Sequence, residues 1–332
     1  MWFKTIFRRR PRQDGTSGWR PGRQNRPASS GAATRFQPNE ALLRRLERLS
    51  VEARRNLRGM PASGEHPSRQ QLPATIFDDH RPYTSGDDYR YVDWNAYARQ
   101  DEIVVRMSDA EQAVDVHLLI DSSGSMGWGS PPKLVAAQYL TAALGYLALA
   151  HGDRLRVAPF GNAPLPPFGP ALGKGRALDM LRFVADVDAA PHTDLARTLS
   201  LYARMHERGG LLVLCSDLLS ESPEALLEGL RALVQPRWQV LVLHLLDPRE
   251  LQPDLNGPLE LEDSETGQRL NLTLDAEALA QYRSNVAAWQ EQIARTCAQR
   301  GVSYTQIQTD WPFERVVVPY LRVRQVLRNS NA

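Results

Sequence analysis

From residue 114 onward the chain alternates short apolar runs with helical patterns, and this alternation limits the possible folds more than any other feature. Segments at 116–120, 155–160, 211–215, 240–246 and 302–307 are rich in apolar and β-branched residues and predict strands. Between and after them, 131–150, 176–187, 195–207, 223–234 and 276–299 follow helical spacing, and a last helix is expected near 313–327. Apolar runs without strict alternation indicate strands buried on both faces, as in a parallel sheet with helices on either side. The expected fold is therefore α/β, a mostly parallel, Rossmann-like sheet flanked by helices. Residues 258–274, with turn chemistry at Glu265, Thr266 and Gly267, predict a small β-hairpin insertion.

The chain before residue 113 has a different character. A helix is predicted over 39–57, capped by Asn39, with Leu42, Leu46, Leu49, Ala53 and Leu57 on one face and Gly59 at its end. A further strand is expected at 103–107. Opposite charges crowd the intervening segment at Asp87, Asp88, Arg90, Asp93 and Arg99, beside Trp94, and read first as a salt-bridged clamp and second as a docking surface. Residues 1–38 hold Lys4, Arg8, Arg9, Arg10, Arg12, Arg20, Arg23, Arg26 and Arg35 against Asp14 alone. Few apolar residues follow Phe7, so this segment is expected to be a disordered basic tail. Three units result: 1–38 tail, 39–112 helix and loop segment, 113–332 main α/β domain.

The whole chain has 332 residues and a net charge of only +2, so outside the tail it is mildly acidic. No motif for specific nucleic-acid binding accompanies the arginines. Trp2, Phe3, Ile6 and Phe7 beside Arg8–Arg12 permit a peripheral membrane contact through residues 1–12. These apolar residues precede the arginines, the reverse of an export signal. The two cysteines, Cys215 and Cys297, have neither metal-ligand spacing nor the density of a secreted framework. A cytoplasmic setting is the expectation.

The chemistry-bearing motif is DSSGSM, Asp121 to Met126, placed directly after a buried strand and before a helix. In open α/β sheets ligands bind at the carboxyl ends of strands. Asp121, Ser123 and Ser125 offer one carboxylate and two hydroxyls on alternate residues, a hard-oxygen set suited to Mg²⁺, with Mn²⁺ or Ca²⁺ as alternatives. Thr193, in PHTDL, and Asp217, after LLVLC, lie where later elements leave the same edge. As a bland alternative, each residue alone could cap a helix or turn.

DxSxS with a distant Thr and a distant Asp resembles the metal-ion-dependent adhesion site (MIDAS) of von Willebrand factor A-like domains. That resemblance implies that Ser123, Ser125 and Thr193 touch the metal, while Asp121 and Asp217 hold its waters. The segments GEHPSRQ, RPYTSGDDYRYVDWNAYARQ and DSETGQRLNLTLDAEALAQYRSNVAAW resemble the bacterial family called domain of unknown function 58, over about residues 40–328. The family resemblance implies a non-enzymatic, metal-dependent protein-binding adaptor, the partner of a MoxR-type AAA+ ATPase in protein-complex assembly or maturation. Its ligand would be a protein partner presenting an Asp or Glu carboxylate. One departure is the turn Ala190-Pro191-His192-Thr193, where relatives carry a glycine-rich turn.

Two enzyme readings compete. Ser125, Asp217 and His244 stand in the chain order of a serine hydrolase triad, although Ser123 occupies the first glycine of the nucleophile elbow. GPALGKG from Gly169 mimics a phosphate loop with the wrong spacing, and is read as a flexible connection. A peripheral membrane scaffold is the remaining alternative.

Overall fold

The computed structural model describes residues 5–6, 35–59, 71–73, 79–84, 92–100, 102–109, 113–161, 166–189, 195–206, 209–219, 228–232, 238–253, 257–263 and 269–316. The central sheet has six strands: β5 (Asp115–Asp121), β6 (Arg154–Phe160), β7 (Phe168–Leu172), β8 (Gly210–Ser216), β9 (Trp238–Leu246) and β12 (Ser303–Gln308). Their order is β12-β9-β8-β5-β6-β7, with every pairing parallel except the antiparallel edge pair β6–β7. A mixed α/β architecture with a six-stranded, mostly parallel sheet is thus established. The edge strand β7 corrects one sequence expectation: the segment around GPALGKG is a strand and a 3₁₀ turn (Lys174–Arg176), not a flexible connection.

Burial on both faces explains the apolar runs. On β5, Val116, Leu118 and Ile120 join one buried cluster, while Leu119 joins a second. On β8, Leu211, Val213 and Cys215 face the first cluster and Leu212 and Leu214 the second. This is the two-residue period of a strand, with each face covered by helices. Helices α3 (Lys133–Ala150) and α4 (Ala177–Ala185) cover the first face, and α5 (Leu195–Met205) the second. α3 has the length and hydropathy of a membrane span, yet 89% of that stretch is buried, so its composition is that of a central core helix. Both cysteines are buried and unpaired.

α1 (Glu40–Gly59) begins with the expected cap, the Leu42 N–H donating to Asn39 Oδ1 at 2.9 Å. Leu42, Leu46, Leu49 and Ala53 are buried against the α3 cluster. Arg45 lies 4.3 Å over the Phe313 ring and pairs with Glu314, which ties α1 to the 3₁₀ turn Phe313–Val316. Only that turn of the expected terminal helix falls within the described residues. β2 (Gln71–Pro73), β3 (Asp79–Pro82) and β4 (Val104–Asp109) form a small antiparallel sheet, with α2 (Trp94–Gln100) between β3 and β4 along the chain. The predicted hairpin is present as β10 (Gly257–Asp263) and β11 (Arg269–Leu274). β1 (Thr5–Ile6) pairs with β10, so two residues of the segment expected to be disordered form a short strand.

A short helix, α6 (Pro248–Leu251), follows β9, and the long α7 (Ala276–Gln299) opens on Asp275, which accepts from the Ala278 N–H. Gly210, with φ +140°, starts β8 hard against β5: an added Cβ would sit 2.2 Å from the Asp115 carbonyl oxygen.

The burial pattern separates two leucines of similar size. Leu144, fully buried in α3, should cost about 2–5 kcal/mol when changed to Ala. Leu178, 42% exposed on α4, should cost less than about 0.5 kcal/mol. Urea denaturation of both variants checks this, and equal losses would contradict the assignment of α3 as the central core helix.

Candidate functional site at the carboxyl ends of β5 and β8

From β5 the chain passes through α3 to β6 on one side, and later returns to β8 on the other. The strand order therefore reverses at β5, and a crevice opens between the carboxyl ends of β5 and β8, the usual ligand position in such sheets. Asp121 ends β5, and Ser216 ends β8 with Asp217 directly after it. The Ser216 hydroxyl donates to Asp121 Oδ2 at 2.5 Å across this crevice and accepts from the Leu218 N–H at 2.9 Å. The other carboxylate oxygen of Asp121 accepts from the Ser123 N–H at 2.9 Å. Ser122 anchors the loop to β6 through its hydroxyl, 2.8 Å from the Phe160 carbonyl.

Ser123 Oγ and Ser125 Oγ are 3.0 Å apart, and both side chains are buried. Two oxygens at about 2.1 Å from one octahedral ion, in adjacent positions, are separated by roughly 3.0 Å. The spacing of these hydroxyls fits a shared Mg²⁺-sized cation as well as a mutual hydrogen bond. Burial and the nearby charge of Asp217 push the Asp121 pKa up to about 7, against the opposing hydrogen bonds from Ser216 and Ser123. A cation beside this carboxylate would favour its charged form. Among the described residues no three His, Cys, Asp or Glu side chains converge as a metal cluster, so any cation here would rest largely on hydroxyls and water. Thr193, with the turn 190–194, lies outside the described residues.

Asp217 is 1% exposed. Its Oδ1 accepts from the Leu219 N–H at 3.2 Å, and Lys133 Nζ stands 2.8 Å from Oδ2. Asp217 Oδ2 is thus charge-compensated by a buried ammonium. Lys133, the first residue of α3, is equally buried, and its Nζ also donates to Glu250 Oε1 at 2.5 Å. Burial would drive the Lys133 pKa down, but the two carboxylates more than offset this and hold it above the usual range. Burial, with the charge of Asp217, raises the Glu250 pKa despite Lys133.

Neither Lys133 nor Glu250 was suggested by the motif. Their signal lies in a second layer of contacts. Asp247 caps α6 in a reciprocal box with Glu250. The Ser130 N–H donates to Asp247 Oδ2 at 3.2 Å, and Arg249 lies 4.9 Å over the Trp128 ring. Gly129, at φ +118°, passes so close that a Cβ would fall 2.7 Å from the Pro131 carbonyl and 2.9 Å from Asp247 Oδ2. The end of β9 thereby braces the loop that follows DSSGSM.

His244 does not join Ser125 and Asp217 in a triad. Its Nε2 donates to the backbone carbonyl of Asp217 at 3.0 Å, and its Nδ1 accepts from the Tyr304 hydroxyl at 2.6 Å. Both ring nitrogens are thus committed, and burial lowers the His244 pKa to about 4. The imidazole supports the turn at Leu218, whose φ of 55° is uncommon for a residue with a side chain. Of the clamp expected upstream, Asp87, Asp88 and Arg90 lie outside the described residues, and Asp93 acts as a helix cap, its Oδ1 accepting from the Ala96 N–H at 3.1 Å.

Comparison with known proteins places these features in a family context. The family model described as Protein of unknown function DUF58 matches residues 79–292. An uncharacterised protein of Mycobacterium tuberculosis, Rv1480, is 28% identical over 286 residues, covering 84% of this chain and 89% of that protein. An uncharacterised Mycobacterium avium protein, MAV169, is 31% identical over 150 residues, covering 44% of this chain and 86% of that protein. Among solved structures, the conserved hypothetical protein BatB from Bacteroides thetaiotaomicron is similar at 14% identity, with a TM-score of 0.42, over 66% of this chain and 100% of that one.

The buried charges should dominate the local energetics. Lys133→Met leaves Asp217 and Glu250 uncompensated and should lower stability by about 3–5 kcal/mol. Arg154→Ala, which removes a partly exposed pair with Asp115, should cost less than about 1 kcal/mol. Chemical denaturation distinguishes the two, and a small loss for Lys133→Met would contradict the buried pairing.

Proposed function

This chain belongs to the DUF58 family, and from its site we propose that it is a non-enzymatic protein-binding adaptor whose contact with its partner is bridged by a divalent cation. The observation that carries this reading is the pair of buried hydroxyls of Ser123 and Ser125, 3.0 Å apart, beside Asp121 at the β5–β8 crevice. Their oxygen-only chemistry favours Mg²⁺ over the softer transition metals, with Mn²⁺ or Ca²⁺ as substitutes. Ser123, Ser125 and Thr193 would hold the ion, and Asp121 and Asp217 would hold its waters, the arrangement of a von Willebrand factor A-like adhesion site. A cation held by so few protein oxygens keeps water-filled positions, and an Asp or Glu of a protein partner replaces one of those waters.

The brace around the site supports this reading. Ser216 fixes Asp121, His244 fixes the Asp217 turn, and Asp247 fixes the loop before α3. Groups held in this way lose little freedom when a ligand arrives, which raises affinity. The partner class that the family resemblance implies is a MoxR-type AAA+ ATPase, with the chain serving complex assembly or maturation in the cytoplasm. Residues 1–12 would supply any peripheral membrane contact.

Millimolar Mg²⁺ or Mn²⁺ should raise the melting temperature of the protein. A cation at a hundredfold excess over its Kd contributes about 2.7 kcal/mol, equivalent to several degrees. The shift should vanish in Asp121→Ala and shrink in Ser123→Ala. Co-purification with the ATPase should need the cation and weaken in the same variants. A wild-type melting temperature that ignores both metals would sink the metal-bridged reading.

A further inference from the structure

Among the described site residues, Asp217 is the one already paired with a cation of the protein's own. Lys133 Nζ lies 2.8 Å from its Oδ2, while its Oδ1 is engaged by the Leu219 N–H. Any divalent ion or ion-bound water that turns to Asp217 meets this ammonium. Both partners are 1% exposed, so water screens their charges little. The same ammonium has a second seat 2.5 Å away at Glu250 Oε1. Glu250 is in turn held by the Asp247 N–H, which donates to its Oε2 at 2.8 Å, and its backbone carbonyl accepts from the Tyr282 hydroxyl. The second seat is therefore fixed in place and stays available whether or not Asp217 is engaged elsewhere.

We infer that Lys133 is a tethered competitor of the divalent cation, sharing Asp217 with it, and that Glu250 is the seat to which its ammonium withdraws when the ion binds. This inference rests on the metal-site reading proposed above. Lys133 and Glu250 are then positioning residues that set the affinity of the site without touching the ion. With Lys133 poised between two carboxylates, the site keeps its charge compensated before an ion arrives, and its affinity is held down by a repulsion that Glu250 relieves in part. The geometry makes the two residues act in opposite senses. Removing the ammonium frees Asp217 and tightens ion binding. Removing only the Glu250 charge confines the ammonium to Asp217 and weakens it.

The test is Mn²⁺ binding to the full chain, read by isothermal titration calorimetry and by the metal-induced shift in melting temperature. Lys133→Met combined with Glu250→Gln removes one charge of each sign, so the net charge of the interior is unchanged and only Asp217 loses its partner. This double variant should bind Mn²⁺ roughly tenfold more tightly than wild type, the scale on which residues behind metal ligands act. Glu250→Gln alone should bind several-fold more weakly. Adding Asp217→Asn to the double variant should abolish its gain. Wild-type binding that is matched or exceeded in Kd by the folded double variant, meaning no tightening, overturns the competitor role while leaving the metal site standing. Absence of Mn²⁺ binding in both wild type and the double variant overturns the metal site and the competitor role together. Binding confined to the double variant supports the competitor role but overturns the metal-bridged function of the wild-type protein.

Discussion

Burial of both faces of the central sheet is the constraint from which the rest of this molecule follows. With α3 and α4 on one side and α5 on the other, the side chains of β5 and β8 are committed to packing along nearly their whole length. Polar chemistry is then displaced to the strand ends, where backbone groups leave the ladder and helices begin. The reversal of strand order at β5 parts the loops at one such end. Asp121, Ser123, Ser125 and Asp217 stand at that end.

What distinguishes this strand end is how much charge it keeps out of water. Asp121, Asp217 and Lys133 are all nearly inaccessible. Burying ions is costly unless their partners are well placed, and here the cost is met by a layered network. Ser216 bridges Asp121 to the Leu218 backbone, His244 links the Asp217 carbonyl to Tyr304, and Glu250 shares Lys133 while completing the α6 cap. Replacement of these groups by apolar ones would give an ordinary hydrophobic strand end. Their presence gives the site the polarity that a cation would use.

Much of this was legible in the sequence, for reasons that particular residues make clear. The apolar runs announced the parallel strands because burial on both faces removes the polar alternation. Asn39 marked the start of α1, and the ends of α7 at 276 and 299 followed directly from helical spacing. β7 was missed because its glycine and proline, Gly169 and Pro170, are breakers that only an edge strand tolerates. Within the site, DSSGSM and Asp217 were visible as a motif at strand ends. Lys133, Ser216 and Glu250 were not, since their roles come from contacts across 84 to 117 residues or from a neighbour on another strand. His244 was misleading: chain order suggested a triad, whereas its position on a buried strand directs its ring to the Asp217 carbonyl and Tyr304.

The proposed function requires a divalent ion between the ends of β5 and β8. Anomalous diffraction from a Mn²⁺-soaked crystal tests this most directly. The predicted result is one strong peak within coordination distance of both Ser123 Oγ and Ser125 Oγ, with Asp121 and Asp217 facing its waters. A map with no peak at that crevice, or with manganese only at surface carboxylates elsewhere, would contradict it.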